Sequence, residues 1–109
     1  MSNQDVFLEA NAALSERNYE KFIAYCDEDI IWINVGGSAF NGRTETLKYI
    51  SSTYNDVTFT TEDHIKEKDV VIEYGQIEFK TEGLSKKSSY CDIWKFKDGR
   101  ISKVTSFVI

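Results

Sequence analysis

The first half of the chain carries apolar residues at helical spacing, interrupted by one short strand. Ser2-Asn3 precedes the first apolar stripe and Asn18 the second, and both are typical helix-capping positions. A third helix is predicted after Asn41-Gly42, with Glu45 favourably placed in its first turn. The continuous apolar run Ile30–Asn34 predicts a strand between the second and third helices.

Everything after residue 56 alternates in the manner of β-strands. Polar turns divide this half, and Asp98-Gly99 is a strong hairpin signal. The four predicted strands span residues 57–65, 70–82, 86–97 and 100–109. The order favours one α+β domain over residues 1–109, in which a curved antiparallel sheet wraps three N-terminal helices as a cone that encloses a pocket.

One carboxylate in the predicted strands has aromatic neighbours on its own face. Side chains alternate along a strand, so Tyr90, Asp92, Trp94 and Phe96 lie on the same side. An acid among aromatic side chains is costly to bury unless it is hydrogen-bonded or kept neutral. Asp92 is therefore the leading candidate for site chemistry.

Charge and composition narrow the classes of partner. The 109 residues carry a net charge of −5 without a basic stripe, which disfavours nucleic acids and anionic membranes. The chain has no apolar run of membrane-spanning length and no signal-peptide pattern, so a cytoplasmic location is expected. With one histidine and two widely spaced cysteines, neither a metal nor another cofactor is expected.

The order of elements and several local motifs resemble the nuclear transport factor 2-like superfamily, which includes SnoaL-like polyketide cyclases, ketosteroid isomerases and limonene epoxide hydrolases. The resemblance covers almost the whole chain. It implies the cone-shaped fold and leaves the reaction open, because one fold hosts many functions. The motifs are Ala12-Ala13-Leu14, Asp27-Glu28-Asp29, Gly42-Arg43 and the segment 94–101.

The resemblance to ketosteroid isomerases retains one of three functional groups. The position of their general base matches Asn34, and the position of their tyrosine donor matches Ala10. Their protonated aspartic acid matches Asp92, which implies a raised pKa for this carboxyl. Asparagine cannot shuttle a proton as a carboxylate does, so the resemblance does not imply steroid isomerisation.

The resemblance to limonene epoxide hydrolases is also incomplete. Their Tyr-x-Asn pair is similar to Trp32-Ile33-Asn34. Their water-activating aspartate falls on Glu78, the arginine before it on Gln76, and the second aspartate near Ser106. The arginine and one acid are missing, which breaks the arrangement that protonates an epoxide while water attacks.

Both comparisons imply an aromatic-walled pocket for a small organic ligand bearing a carbonyl or hydroxyl group. If Asp92 and Glu78 lie close together, charge repulsion keeps one of them protonated, so that one is the acid and the other the base of an isomerase, lyase or hydratase. The same cavity could also bind a ligand without catalysis, with Glu78 exposed and paired with Lys80 or Lys95. The residues expected to face inward are Trp32, Asn34, Tyr74, Gln76, Glu78, Tyr90, Asp92, Trp94 and Ser106.

The opposite face of the sheet is then expected to be apolar. An exposed apolar sheet face marks a partner surface, and it favours a twofold homodimer formed sheet to sheet. A third interpretation makes this face the functional surface of a protein-interaction domain. The residues expected on it are Ile77, Phe79, Ile93, Phe107 and Ile109.

Overall fold

The computed structural model describes residues 1–109 as three α-helices against one open six-stranded sheet. The strand order is β2-β1-β6-β5-β4-β3. A single 3₁₀ turn, Tyr54–Asp56, joins the last helix to the strands. The elements are α1 (Asn3–Ser15), α2 (Tyr19–Ala24), β1 (Cys26–Asn34), β2 (Ala39–Asn41), α3 (Gly42–Thr53), β3 (Val57–Glu67), β4 (Val70–Thr81), β5 (Leu84–Lys97) and β6 (Arg100–Val108).

The predicted helix starts are confirmed, and the caps explain them. Ser2 accepts a hydrogen bond from the Asp5 backbone while the Asp5 side chain accepts one from the Ser2 backbone, which is a complete capping box. The Asn18 side chain caps α2 by accepting from the Lys21 backbone. None of the three helices combines the length and apolar character needed to cross a membrane.

Two features of the first strand differ from the sequence prediction. Helix α2 ends at Ala24 and β1 begins at Cys26, before the predicted start at Ile30, so the acidic run Asp27-Glu28-Asp29 lies within the strand. The short strand β2 pairs with β1, and β1 runs parallel to β6 while the other pairs are antiparallel. The parallel pairing places Asn34 beside Ser106.

The core lies between the inner sheet face and the helices, and aromatic rings fill much of it. Trp94 contacts Phe7 and Phe22 edge to face, with ring centroids 4.9 and 5.8 Å apart. Trp32 packs against Phe22 at 6.0 Å. Both tryptophans are fully buried, so they hold α1 and α2 against the sheet.

A bulge in β3 and a glycine in β4 bend the sheet near α1. The pairing of β3 with β4 shifts register between Thr61 and Asp63. At Gly75, a Cβ atom would lie only 2.0 Å from the Thr60 carbonyl oxygen, so glycine permits this close approach of the two strands. The bend brings the Thr61 hydroxyl to Asn11 of α1.

Candidate functional site

A cavity opens between the inner sheet face and the helices α1 and α3. Its volume is about 40 Å³, which is room for a few water molecules, because roughly 10–15 Å³ suffices for one. A larger ligand therefore requires side chains at the wall to move. Nine of the 14 lining residues are hydrophobic, and the polar ones include Asn11, Asn34, Asp92 and Ser106.

Asp92 belongs to the polar part of the cavity wall. On β5 it lies directly opposite Ser106 of β6 on one side and Glu73 of β4 on the other. Its side chain lines the cavity although the residue is only 6 % exposed. Its Oδ1 atom is buried without a hydrogen-bond partner, so this oxygen is available to a ligand.

The surroundings of Asp92 favour the protonated carboxyl. Burial raises its pKa to about 7, and the neighbouring Glu73 carboxylate contributes to this rise. The Ser106 hydroxyl acts in the opposite direction by favouring the ionised form. Asp92 can therefore both release and accept a proton near neutral pH.

Glu73 lies behind the cavity wall in a hydrogen-bond network. The Tyr90 hydroxyl donates to Glu73 Oε1 at 2.7 Å, and the Thr61 hydroxyl donates to the same oxygen at 2.9 Å. Burial raises the pKa of Glu73, and these hydrogen bonds oppose the rise. The buried indole N–H of Trp94 also favours ionised Glu73, although it forms no hydrogen bond of good geometry.

Asn34 faces the cavity from β1, on the same inner sheet face as Asp92 and next to Ser106. The Trp32 indole N–H donates to Asn34 Oδ1 at 3.0 Å, which leaves the Asn34 amide nitrogen free to donate. A hydrogen bond from Asn34 opposes the rise that burial produces in the pKa of Tyr49, a phenol on α3 that also lines the cavity. This end of the cavity therefore offers hydrogen-bond donors.

Six of the nine residues expected to face inward do so. Asn34, Tyr90, Asp92 and Ser106 line the cavity. Trp32 and Trp94 lie on the inner face but are buried in the core rather than exposed to the cavity.

The expected inward orientation of Tyr74, Gln76 and Glu78 is wrong. All three lie on the outer face, where Glu78 is 3.8 Å from Lys80 and Gln76 donates to Glu62. Tyr74 is 43 % exposed. Glu78 and Asp92 therefore do not come together, and the second acid beside Asp92 is Glu73.

The error is one of register between strands. Gly75 lies opposite Tyr90, so the odd-numbered residues of β4 share the face of Tyr90 and Asp92. Alternation within β4 carried the correct signal, because Ile77 and Phe79 alternate with polar residues that point to solvent. The resemblance to epoxide hydrolases pointed to the opposite face.

Sequence reasoning also missed the cavity residues supplied by the helices. Asn11 follows Phe7 by four residues and precedes Leu14 by three, so it lies on the buried stripe of α1. A polar residue on such a stripe is a usable signal, because it is costly there without a partner. Tyr49 of α3 had no comparable signal, since a tyrosine among apolar residues is ordinary in a core.

Only some of the apolar residues predicted for the outer sheet face lie on it. Ile77 and Phe79 line the cavity, so their expected outward orientation is wrong for the same reason of register. Ile93 is half-buried on the outer face, Phe107 is 39 % exposed, and Ile109 is 91 % exposed beyond the end of β6.

Comparison with known proteins identifies the fold. The family model of the SnoaL-like domain matches residues 7–104. A search of the curated proteins finds no significant match.

Many solved structures resemble the chain at low sequence identity. An NTF2-like protein of unknown function from Burkholderia pseudomallei has a TM-score of 0.89 at 17 % identity, covering 100 % of this chain and 92 % of that one. A putative ketosteroid isomerase from Kribbella flavida has a TM-score of 0.86 at 18 % identity, covering 98 % and 77 %. An LEH-like epoxide hydrolase from M. tuberculosis has a TM-score of 0.80 at 19 % identity, covering 98 % and 80 %. These likenesses show a shared fold.

Proposed function

The chain belongs to the SnoaL-like domain family, and we propose that it binds a small carbonyl or hydroxyl compound in the cavity and transfers a proton through Asp92. One observation carries the proposal. The residue Asp92 is 6 % exposed at the cavity wall, and its carboxyl has a buried oxygen without a partner and a pKa of about 7. Structural carboxylates are ordinarily hydrogen-bonded when buried, so this buried acceptor without a partner favours a role in chemistry.

The arrangement suits proton transfer at a carbon next to a carbonyl group. Ionised Asp92 takes the proton from that carbon, and the electrons of the C–H bond move to the carbonyl oxygen. The Asn34 amide, two strands from Asp92, is placed to donate to that oxygen. The Ser106 hydroxyl on the strand between them favours ionised Asp92 and becomes free to donate to the same oxygen once Asp92 has taken the proton. Protonated Asp92 then delivers a proton to a different atom, which completes an isomerisation; return to the same carbon gives proton exchange only.

Glu73 has a supporting role in this proposal. It is absent from the cavity wall, and its Oε1 atom is occupied by two hydroxyl donors. Its negative charge raises the pKa of Asp92 from the neighbouring strand, which strengthens Asp92 as a base.

Proton exchange in a small probe tests the proposal. Hydroxyacetone carries a carbonyl, a hydroxyl and exchangeable C–H groups, so its deuterium uptake in D₂O reports proton transfer by NMR. The wild-type protein is expected to accelerate the uptake, and Asp92→Asn is expected to lose the acceleration while keeping its fold. If wild type binds the probe without accelerating exchange, the alternative of a non-catalytic binding protein is supported instead.

A second candidate function, homodimerisation, is favoured by the outer sheet face. Ile72, Ile93 and Thr105 lie opposite one another on β4, β5 and β6 and form one row across the sheet. Tyr74 and Phe107, 43 % and 39 % exposed, belong to the next row. We propose that a second copy of the chain covers these two rows, because an exposed apolar patch on a sheet is a typical partner surface.

Ile93→Lys is expected to dissociate this dimer. A lysine in the middle of the first row would bury an unpaired charge, which weakens association by at least roughly tenfold. Size-exclusion chromatography with light scattering should show dimeric wild type and a monomeric variant. Thr58→Lys, which adds the same charge at an exposed position of β3, should remain dimeric. A dimeric Ile93→Lys protein would contradict the assigned face.

A further inference from the structure

Asn11 presents a buried acceptor to the cavity. It lines the cavity from α1, and its Oδ1 atom is buried without a hydrogen-bond partner. Asp92 Oδ1 is in the same condition on the opposite wall. An acceptor buried without a donor is costly, so a ligand or ordered water is needed to satisfy it.

The orientation of the Asn11 amide follows from the network behind it. Thr61 has one hydroxyl proton, and that proton faces Glu73 Oε1 at 2.9 Å or the Tyr90 hydroxyl at 2.9 Å. With that proton donated in this way, Thr61 accepts from Asn11, whose amide nitrogen lies 2.9 Å from Thr61 Oγ1. This fixes the Asn11 nitrogen towards Thr61 and its oxygen towards the cavity.

Glu73 thus determines the polarity of a side chain that it does not contact. Its carboxylate accepts hydrogen bonds from the hydroxyl groups of Tyr90 and Thr61. Because Thr61 donates its proton to Glu73, its oxygen accepts a hydrogen bond from the Asn11 amide nitrogen. At the other end of the cavity the Asn34 amide offers its nitrogen as a donor, because its oxygen already accepts a hydrogen bond from the Trp32 indole. The cavity therefore has an acceptor on the α1 side and a donor on the β1 side.

We infer that Asn11 determines ligand specificity by requiring a hydroxyl or N–H donor in the part of the ligand that faces α1. The inference rests on the proposed ligand-binding function of the cavity. A ligand that is apolar or only an acceptor at this point leaves Asn11 Oδ1 unpaired after displacing water, and it loses affinity for that reason.

Phenol and toluene test the inference, because they have nearly the same shape and differ by a hydroxyl and a methyl group, so the movement of the cavity wall that admits one also admits the other. Binding is measured by ¹H–¹⁵N NMR titration of wild type. An apolar cavity without a free acceptor prefers toluene, whereas pairing with Asn11 makes phenol roughly tenfold tighter. Asn11→Leu, which has a similar volume, is expected to remove this preference, and Asn11→Ala provides a second truncation if the leucine variant fails to fold.

The variant Thr61→Val tests whether Thr61 orients the Asn11 amide or only contributes to packing. Thr61 is not part of the cavity wall, so valine leaves the wall unchanged but frees the Asn11 amide to turn. The ratio of phenol to toluene affinity is expected to fall towards one, whereas a purely structural role would weaken both ligands together.

Each contrary outcome is distinguishable. If wild type binds toluene as tightly as phenol, the cavity is a ligand site but the role of Asn11 is wrong. If Asn11→Leu keeps the full preference for phenol, the donor pairs with another acceptor such as Asp92 and the inference is also wrong. If neither probe shifts the resonances of the cavity residues, both the inference and the proposed binding function fail.

Discussion

Asp92→Asn is expected to reduce the acceleration of hydroxyacetone proton exchange by roughly 10²–10⁴-fold, the usual contribution of a positioned acid or base. Asparagine has nearly the same shape and can still hydrogen-bond, but it cannot take a proton from carbon. The loss should therefore appear in kcat, with little change in the affinity of the probe.

The pH dependence should identify the same group. Since the ionised carboxylate is the base, the exchange rate of wild type is expected to rise with pH and level off above about 7, the pKa of Asp92. Asp29→Asn removes the same charge from an exposed position on β1 and should leave the rate unchanged. Exchange that persists in Asp92→Asn would show that another group is the base.

The free energy of unfolding should fall as the pH rises from about 4 to about 7. In this interval the folded protein keeps a proton on Asp92 that the unfolded chain releases, because the carboxyl pKa is about 7 in the fold against a reference of 3.8. The stabilisation from protonated Asp92 is present in full below the unfolded pKa of 3.8 and is lost as the pH rises through the folded pKa of about 7. The difference corresponds to a loss on the order of 4 kcal/mol, and the raised pKa of Glu73 adds to it in the same direction.

Denaturant unfolding of wild type and Asp92→Asn at several pH values measures this effect. Asparagine does not titrate, so the stability of the variant relative to wild type should increase by about 4 kcal/mol between pH 4 and pH 8. The constant cost of burying the amide cancels in this comparison. Asp29→Asn controls for the change in net charge. Parallel curves for wild type and Asp92→Asn would mean that Asp92 is not buried in the protonated form.

The sequence predicted the fold well because its strongest signals are local. The capping residues Ser2 and Asn18 mark the helix starts, and Asp98-Gly99 marks the last hairpin. The pairing of β1 with β6 had no such signal, since the two strands are separated by most of the chain and local patterns do not specify long-range partners. The short strand β2 was missed because three residues show too little alternation.

The candidate site was predicted only in part because it depends on the register between strands. Each strand fixes which of its residues share a face, and Asp92 was correctly grouped with Tyr90. The pairing of β4 with β5 decides which residues of β4 join that group. A shift of one residue in this pairing would replace Glu73 and Gly75 on the inner face by Tyr74 and Gln76. The alternation of polar and apolar residues in β4 could have decided this shift.

The tryptophans show a second limit of sequence reasoning. Trp32 and Trp94 do point to the inner face, but whether an inward aromatic lines a cavity or fills the core depends on what the helices bring against it. Here Phe7 and Phe22 cover Trp94, so the cavity forms elsewhere. The pattern within a strand does not show which helix residues pack against it, so it could not predict this arrangement.

Titration of the Asp92 carboxyl by ¹³C NMR tests the central claim most directly. Spectra of protein labelled at aspartate carboxyls, with Asp92→Asn used to assign the resonance, give the pKa of this group without any substrate. A midpoint near 7 is expected for a carboxyl enclosed in the cavity beside Glu73. A midpoint near 4, the ordinary value of about 3.9 for a solvated aspartate, would contradict the account.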